Sequence, residues 1–115
     1  MVGKSKQATK EQSRRMEMLP QVGCICCLSY GIKNEWVQIH HITEGGKRLG
    51  HDYTLPLCYF HHEGIPPEGM TVEQAEERVG PSLRSKKKFN EVFGGELVLL
   101  EYVNEALEII DGSIV

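Results

Sequence analysis

Four residues with metal-ligating side chains fall into two halves that share one spacing. Cys24 and Cys27 form a Cys-x-x-Cys turn, and Cys58 and His61 repeat the same separation later in the chain. Two intervening residues let a single turn bring both donor atoms to one ion, and three thiolates with one imidazole fill a tetrahedral zinc site. The spacing therefore predicts a structural zinc ion, with Cys26 as a competitor for either cysteine position of the first half.

All five histidines of the chain stand between positions 40 and 62. If His61 binds zinc, four remain for other chemistry: His40, His41, His51 and His62. His40 and His41 are neighbours on a predicted strand and point to opposite sides, so they are expected to have different tasks. We expect one of them to bind a second metal ion together with His62, and the other to act as a general base.

The segment between the two histidine pairs holds further candidates. Asp52 or His51 is expected to complete or orient the second metal site. Lys47 and Arg48, beside the glycines of the same segment, are placed to bind a phosphate group. The alternative interpretation of these two basic residues is a solvated loop.

Charge is segregated along the chain, although the net charge is only −3. Basic residues concentrate in residues 1–15 and again in a run that includes Lys86, Lys87 and Lys88. After residue 88 the chain has acidic residues but neither lysine nor arginine. Local basic segments can contact a polyanion while an acidic element faces elsewhere, so this distribution is compatible with DNA binding.

Extended structure is predicted for the segments that carry these side chains. Residues 35–42, which include His40 and His41 among β-branched neighbours, favour a strand, and residues 53–58 favour a second one. Glycines at positions 45, 46 and 50 predict a loop between the strands. Residues 59–64 are expected to form the first turn of a helix.

The other segments are predicted to be helical. A short helix in the N-terminal part is expected to end before Pro20. Thr71 and Gln74 form a capping box for a later helix, and another helix is expected to end at Gly94. The last helix is expected to bury one face. The predicted stripe consists of Leu97, Leu100, Val103 and Leu107, widened by Leu99, Tyr102, Ala106, Ile109 and Ile110.

Length and composition indicate one domain. Of the 115 residues, 40% are hydrophobic and 25% are charged, which is ordinary for a globular protein. We expect residues 1–19 to form a basic, partly disordered tail and residues 20–115 to form an α+β domain. The sequence has neither an apolar run long enough for a membrane helix nor a secretory signal, which predicts a cytoplasmic location where thiols stay reduced.

The order of these motifs resembles the HNH endonucleases. Four motifs follow one another as in that family: Cys24-x-x-Cys27, His40-His41, Gly45-Gly46, and "LPLC" followed by His61-His62. More narrowly, "IHHI", "GHD" and the later "KKKFNEVFGGELVLLEYVN" look like the phage recombination-enhancement nucleases that depend on RecA. The resemblance covers most of residues 20–105.

The resemblance implies a small ββα-metal core, stapled by the Cys₃His zinc and followed by additional C-terminal helices. It implies that His41 is the general base and that His40 and His62 bind a catalytic divalent ion, which is Mg²⁺, Mn²⁺ or Zn²⁺. The asparagine that orients the base in the family is absent, and its position falls on Asp52 or Tyr53.

As a function, the resemblance implies metal-dependent hydrolysis of DNA phosphodiester bonds, linked to recombination in a bacterial host cell. It implies DNA as substrate and a RecA filament as partner. The competing interpretation is a non-catalytic zinc module that docks on DNA or on a recombination protein. That interpretation accounts for the cysteines but not for His40, His41 and His62. The sequence leaves the oligomeric state open.

Overall fold

The computed structural model describes residues 7–112, which form six α-helices, a 3₁₀ turn and four short strands. In chain order these elements are α1 (Lys10–Val22), α2 (Ile25–Leu28), β1 (Val37–His41), β2 (Thr43–Glu44), β3 (Lys47–Arg48), β4 (Thr54–Cys58), α3 (Tyr59–Glu63), α4 (Val72–Val79), the 3₁₀ turn (Leu83–Ser85), α5 (Lys86–Phe93) and α6 (Glu96–Asp111). The α+β class expected from the sequence is confirmed. The part of the expected disordered tail before residue 7 lies outside the described residues.

The central sheet consists of β1 and β4, which pair antiparallel with Val37 opposite Cys58 and His41 opposite Thr54. All of β4 is buried, whereas β1 is half-buried, because α1, α2 and α6 all pack against β4. Pro56 lies inside β4 without breaking it, since a strand of a two-stranded sheet has one edge that needs no ladder hydrogen bonds. Helix α3 follows β4 directly, so the end of the strand and the start of the helix form one unit.

The segment expected to be a plain loop between the central strands contains a small hairpin. Strands β2 and β3 pair antiparallel, with Thr43 opposite Arg48. Gly45 and Gly46 turn the chain with φ angles of 61° and 81°, a left-handed conformation that glycine adopts without strain. The loop prediction was wrong here because strands of two residues are too short to leave a periodic pattern in the sequence.

Helix α1 extends past the proline that was expected to end it. Pro20 lies in the last turn, where its missing N–H removes a single helical hydrogen bond. The helix ends at Gly23, whose N–H donates to the carbonyl oxygen of Leu19 at 3.2 Å. Leu19 is fully buried, and α1 packs against β4 and α6. Residues 10–19, which the sequence assigned to the tail, therefore lie in a helix that contacts the core.

Helix α6 buries a narrower face than the predicted one. Leu99, Leu100, Val103 and Leu107 are buried as expected, but Leu97, Tyr102 and Ile109 are each more than half exposed. Leu99, Val103 and Leu107 recur every four residues and so lie on one side of the helix. Leu97 lies on the rim of a groove between the β2–β3 hairpin and the start of α6, where no described element covers it.

Helix α4 begins at the predicted capping box, and α5 ends at the predicted glycine but begins only at Lys86, after the 3₁₀ turn. Thr71 caps α4, because its Oγ1 accepts from the N–H of Gln74 at 3.1 Å and its own N–H donates to Oε1 of Gln74 at 2.9 Å. Gly94 ends α5 in a left-handed conformation. Within residues 7–112, no helix combines the length and the apolar character that crossing a membrane requires.

Candidate functional site

Three cysteines and one histidine converge where α2, β4 and α3 meet. The Sγ atoms of Cys24, Cys27 and Cys58 and the Nδ1 atom of His61 all lie within 4.8 Å of one another, and all four residues are buried. The distance from Nδ1 of His61 to sulfur is 3.4 Å at Cys24, 3.7 Å at Cys27 and 3.3 Å at Cys58. These are the four ligands predicted from the paired spacing, so the fold brings both halves to one point.

Local backbone geometry positions the two cysteines of the first half. Cys24 is the N-cap of α2, and its sulfur accepts a hydrogen bond from the N–H of Cys27 at 3.5 Å. The N–H of Cys24 donates to the carbonyl oxygen of Asn34 at 2.8 Å. Gly23 has a φ of 82°, and a Cβ atom there would lie 3.0 Å from the same carbonyl oxygen. Glycine therefore allows the close approach that fixes Cys24.

His61 is oriented by a hydrogen bond on its far side. Its Nε2–H donates to the carbonyl oxygen of Val79, at the end of α4, at 2.8 Å, which leaves Nδ1 directed at the sulfurs. Burial lowers the pKa of His61, but the hydrogen bonds and charges of Cys24 and Cys58 outweigh burial and raise the pKa to about 10. The sulfur atoms around Nδ1 of His61 thus favour positive charge at this point, and a metal cation supplies such a charge.

The distances within this group fit a zinc ion. Tetrahedral zinc requires about 3.8 Å between two sulfurs and about 3.6 Å between sulfur and nitrogen. The sulfurs of Cys27 and Cys58 are 3.8 Å apart. Cys26 is buried as well but does not belong to the four-donor group, and burial raises the pKa of its thiol. A zinc ion held here ties α2 to the unit formed by β4 and α3.

A second group of side chains is centred on His40 and His62, whose ring centroids are 5.0 Å apart in an edge-to-face arrangement. Nε2 of His40 lies 2.7 Å from Oε1 of Glu96. Nδ1 of His62 donates to Oε1 of Gln38 at 2.8 Å. Gln38 and His40 share one face of β1 because alternate residues of a strand do so. Two imidazoles thus lie side by side, and each has its own polar partner.

Glu96, the first residue of α6, is the member of this group that the sequence analysis missed. Its Oε2 lies 3.3 Å from Nζ of Lys86, and the hydrogen bond from His40 keeps the pKa of Glu96 below its ordinary value. The carboxylate therefore stays charged and connects His40 with Lys86. The sequence gives no sign of this role, because 56 positions separate Glu96 from His40. An acidic residue is also common at the start of a helix, where it interacts favourably with the helix dipole.

His41 belongs to a different pair. Its Nε2 lies 3.4 Å from Nδ1 of His51, and the two ring centroids are 5.5 Å apart. Burial lowers the pKa of His41, and the positive charges of Arg48, His51 and His40 lower it further. His41 is therefore neutral near pH 7 and able to accept a proton. The neighbours His40 and His41 thus enter separate pairs.

The two candidates for the missing asparagine position, Asp52 and Tyr53, are both exposed. Oδ2 of Asp52 accepts a hydrogen bond from Nε2 of Gln12 on α1 at 3.0 Å, and its charge also acts on Arg15. The carboxylate of Asp52 is thus engaged with α1. Of the two residues expected to complete or orient the second metal site, His51 lies beside His41 and Asp52 does not.

The residues predicted to contact DNA are exposed on two separate elements. Lys47 and Arg48 form β3, at the end of the hairpin that follows the histidine strand. Lys86, Lys87 and Lys88 open α5. Lys86 reaches the second histidine group through its ion pair with Glu96, whose carboxylate also bonds His40, so this basic run adjoins the site.

Two basic residues of the predicted tail are engaged within the fold. Arg15 donates from Nε to Oγ1 of Thr54 at 2.8 Å and from Nη1 to Oδ1 of Asn104 at 2.7 Å. Arg14 forms an ion pair with Asp111. These bonds connect α1 with β4 and α6, so both arginines contribute to packing.

Comparison with known protein families gives a match over most of the chain. Residues 8–108 match the model of a family described as recombination enhancement, RecA-dependent nuclease. The matched range includes the four-donor group, both histidine pairs and Glu96, so it spans every part of the candidate site.

Proposed function

The chain belongs to the family of recombination-enhancement, RecA-dependent nucleases, and on that premise we propose that it hydrolyses DNA with a site of the HNH type. In this proposal the Cys₃His group holds a structural zinc ion. His40 and His62 bind the catalytic divalent cation, and His41 is the general base. DNA is the substrate, and a RecA filament is the partner that the family description names.

The observation that carries this proposal is that His40 and His62 lie side by side and neither belongs to the zinc group. One zinc ion needs four ligands, and the four-donor group already supplies them. A purely structural zinc module has no use for two further imidazoles with ring centroids 5.0 Å apart. Their polar partners, Glu96 and Gln38, are of the kind that orients metal-binding imidazoles.

His62 has a ring nitrogen available to bind a divalent cation. Because Nδ1 of His62 donates to Gln38, its Nε2 carries a lone pair and is able to bind a metal. Burial and the nearby His40 lower the pKa of His62, which favours the neutral form that a metal requires. When bound, a divalent cation stabilises negative charge on the phosphate and on the leaving oxygen. Imidazole and carboxylate donors accept Mg²⁺, Mn²⁺ or Zn²⁺.

His41 is suited to take the proton from the attacking water. It is neutral near pH 7 because burial and neighbouring positive charges lower its pKa. His41 follows His40 directly in β1, and in this proposal the scissile phosphate lies between the cation pair and this base. His51, 3.4 Å away, restricts the rotation of the His41 ring. General-base catalysis needs the neutral imidazole, and the lowered pKa favours that form at neutral pH.

The basic residues are proposed to hold the DNA backbone. Lysines in the first turn of a helix are disfavoured by the helix dipole, yet Lys86, Lys87 and Lys88 occupy that turn in α5. Glu96 already pairs with Lys86, and in this proposal DNA phosphates compensate for the charges of Lys87 and Lys88. Lys47 and Arg48 act likewise on the hairpin. Contacts of this kind position the duplex without reading its sequence, so we expect little base specificity.

The test is a cleavage assay on the purified chain with single- and double-stranded DNA, in Mg²⁺ or Mn²⁺, with and without a RecA filament. We expect cleavage that needs the divalent cation and the filament. A His41→Ala variant serves as the control for contaminating nucleases, since it should bind DNA but not cut. If the parental chain binds DNA and cuts none under every condition, the non-catalytic zinc module becomes the better interpretation.

A further inference from the structure

An arginine outside the predicted DNA-binding residues lies beside the candidate cation pair. A pocket of about 250 Å³ is lined by His40, His62, Arg84, Lys86 and Glu96, among others. Arg84 belongs to the 3₁₀ turn that packs against α3, the helix that carries His62. The pocket is large enough for a phosphate group, and Arg84 places a permanent positive charge on its wall.

The backbone of Arg84 is fixed by the residue that caps the turn. The N–H of Arg84 donates to Oγ of Ser82 at 3.2 Å, and the carbonyl oxygen of Ser82 accepts from the N–H of Ser85 at 3.0 Å. Ser82 is itself buried. The turn is therefore anchored in the core, and the position of Arg84 does not depend on its own side chain.

The side-chain stem of Arg84 rests on the end of α3. A Cβ atom added at Gly64, the C-cap of α3, would lie only 2.6 Å from Cγ of Arg84. Gly64 also has a φ of 80°, which disfavours any other residue. The absence of a side chain at Gly64 thus creates the space in which the methylene groups of Arg84 lie, two residues after His62.

The guanidinium group of Arg84 has no partner among residues 7–112: no hydrogen bond or ion pair of its side chain occurs there. Other basic side chains near the sheet are engaged, since Lys86 pairs with Glu96 and Arg15 bonds to Thr54. A guanidinium that is anchored at its stem and unpaired at its head is preorganised for an anion from outside.

We propose that Arg84 binds the nonbridging oxygens of the DNA phosphate that enters the pocket beside His40 and His62. This inference rests on the proposed nuclease function and names a further substrate-binding residue for it. The planar guanidinium donates two parallel N–H groups to one phosphate, a geometry that lysine does not reproduce. Lys86 is paired with Glu96, so Arg84 supplies the positive charge that is available to the phosphate.

The test compares Arg84→Ala and Arg84→Lys with Arg78→Ala. Arg78 is a matched control, because it is an exposed arginine on α4 that lines a groove on the zinc side and has no ion pair or hydrogen bond of its side chain within the described part of the chain. Arg84→Ala should lower kcat/KM roughly 10- to 100-fold, the loss expected for one charge-assisted hydrogen bond, with zinc content and Tm unchanged. Arg84→Lys should recover only part of this loss, and Arg78→Ala should behave as the parental chain.

A binding measurement keeps the proposal testable if cleavage is not observed at all. Affinity for a fixed DNA duplex is measured over a series of salt concentrations, with magnesium left out to prevent cleavage. Loss of one phosphate contact should reduce the slope of log affinity against log salt by about 0.9 in Arg84→Ala. Equal slopes for Arg84→Ala, Arg78→Ala and the parental chain would overturn the proposal, whatever the outcome for the nuclease function.

Discussion

Nε2 of His40 lies 2.7 Å from Oε1 of Glu96, although 56 positions separate the two residues in the chain. The bond joins the central strand β1 to the first residue of the C-terminal helix α6. Only 10% of the Glu96 side chain is exposed, so its hydrogen bond with His40 is shielded from solvent more than a surface contact. Helix α6 therefore supports the candidate cation site as well as the core.

Replacing Glu96 by glutamine should impair cation binding more than folding. The amide keeps the size of the side chain but removes the charge that holds His40 in place. Loss of such an orienting partner typically costs 10- to 100-fold in metal affinity or activity, so we expect about that loss of cleavage at limiting Mn²⁺. A titration of activity against Mn²⁺ concentration measures it, and saturating Mn²⁺ should restore part of the rate.

Glu101→Gln is the matched control for this substitution. Glu101 is an exposed acidic residue one turn further along the same helix, and it lies outside the pocket that His40 and His62 line. Its replacement should leave the Mn²⁺ dependence as it is. If Glu96→Gln and Glu101→Gln give the same Mn²⁺ curve as the parental chain, Glu96 does not support the cation site.

Substituting His41 by alanine should abolish most of the cleavage while the zinc group stays intact. General-base catalysis contributes about 10²- to 10⁴-fold, and the cleavage rate should fall by about that factor. His41 lies outside the four-donor group, so zinc content should equal that of the parental chain. His51→Ala, which removes only the partner of His41, should cost less. A larger loss in His51→Ala than in His41→Ala would assign the base to His51.

The pH dependence of cleavage should reflect the lowered pKa of His41. A base acts only when unprotonated, so kcat/KM should fall as the pH drops through that pKa, which lies below the ordinary 6.5. Arg48→Gln removes one positive charge, which raises the pKa of His41 and moves the loss of activity to higher pH. Lys47→Gln, on the same strand, should weaken DNA binding without this shift. Profiles measured between about pH 5 and 8 distinguish the two variants.

The parts of the fold that the sequence predicted are those with a local signal. The spacing predicted the four zinc ligands, with Cys26 left as a competitor, because Cys24 and Cys27 share one turn and Cys58 and His61 share another. The strand that carries His40 and His41 and the capping box of Thr71 are likewise encoded within a few residues. Such features depend on nearby backbone geometry, and the rest of the chain does not alter them.

The parts that were missed depend on packing between distant segments. Glu96 reaches His40 only because α6 begins beside β1, and Leu97 is exposed because no described element covers that end of the helix. Pro20 does not end α1, because burial of Leu19 in the core outweighs the loss of one hydrogen bond. Tertiary contacts stabilise these features without leaving a pattern in the neighbouring sequence. The features could therefore not be predicted from the residue types at these positions.

The last prediction uses two adjacent cysteines to test the structural zinc ion. Cys26 and Cys27 are both buried, but only Cys27 contributes a donor atom to the group of four. Cys27→Ala should lower zinc from about one ion per chain and should lower Tm strongly, because a structural zinc contributes directly to the free energy of folding. Cys26→Ala deletes a small buried group, so it should keep its zinc and lose only about 1 kcal/mol of unfolding free energy.

Elemental analysis and thermal unfolding, with and without a strong chelator, measure both effects. The chelator should lower the Tm of the parental chain and of Cys26→Ala toward that of Cys27→Ala. Equal zinc loss in the two variants would mean that Cys26 also ligates the ion, and zinc retained in Cys27→Ala would exclude Cys27 as a ligand.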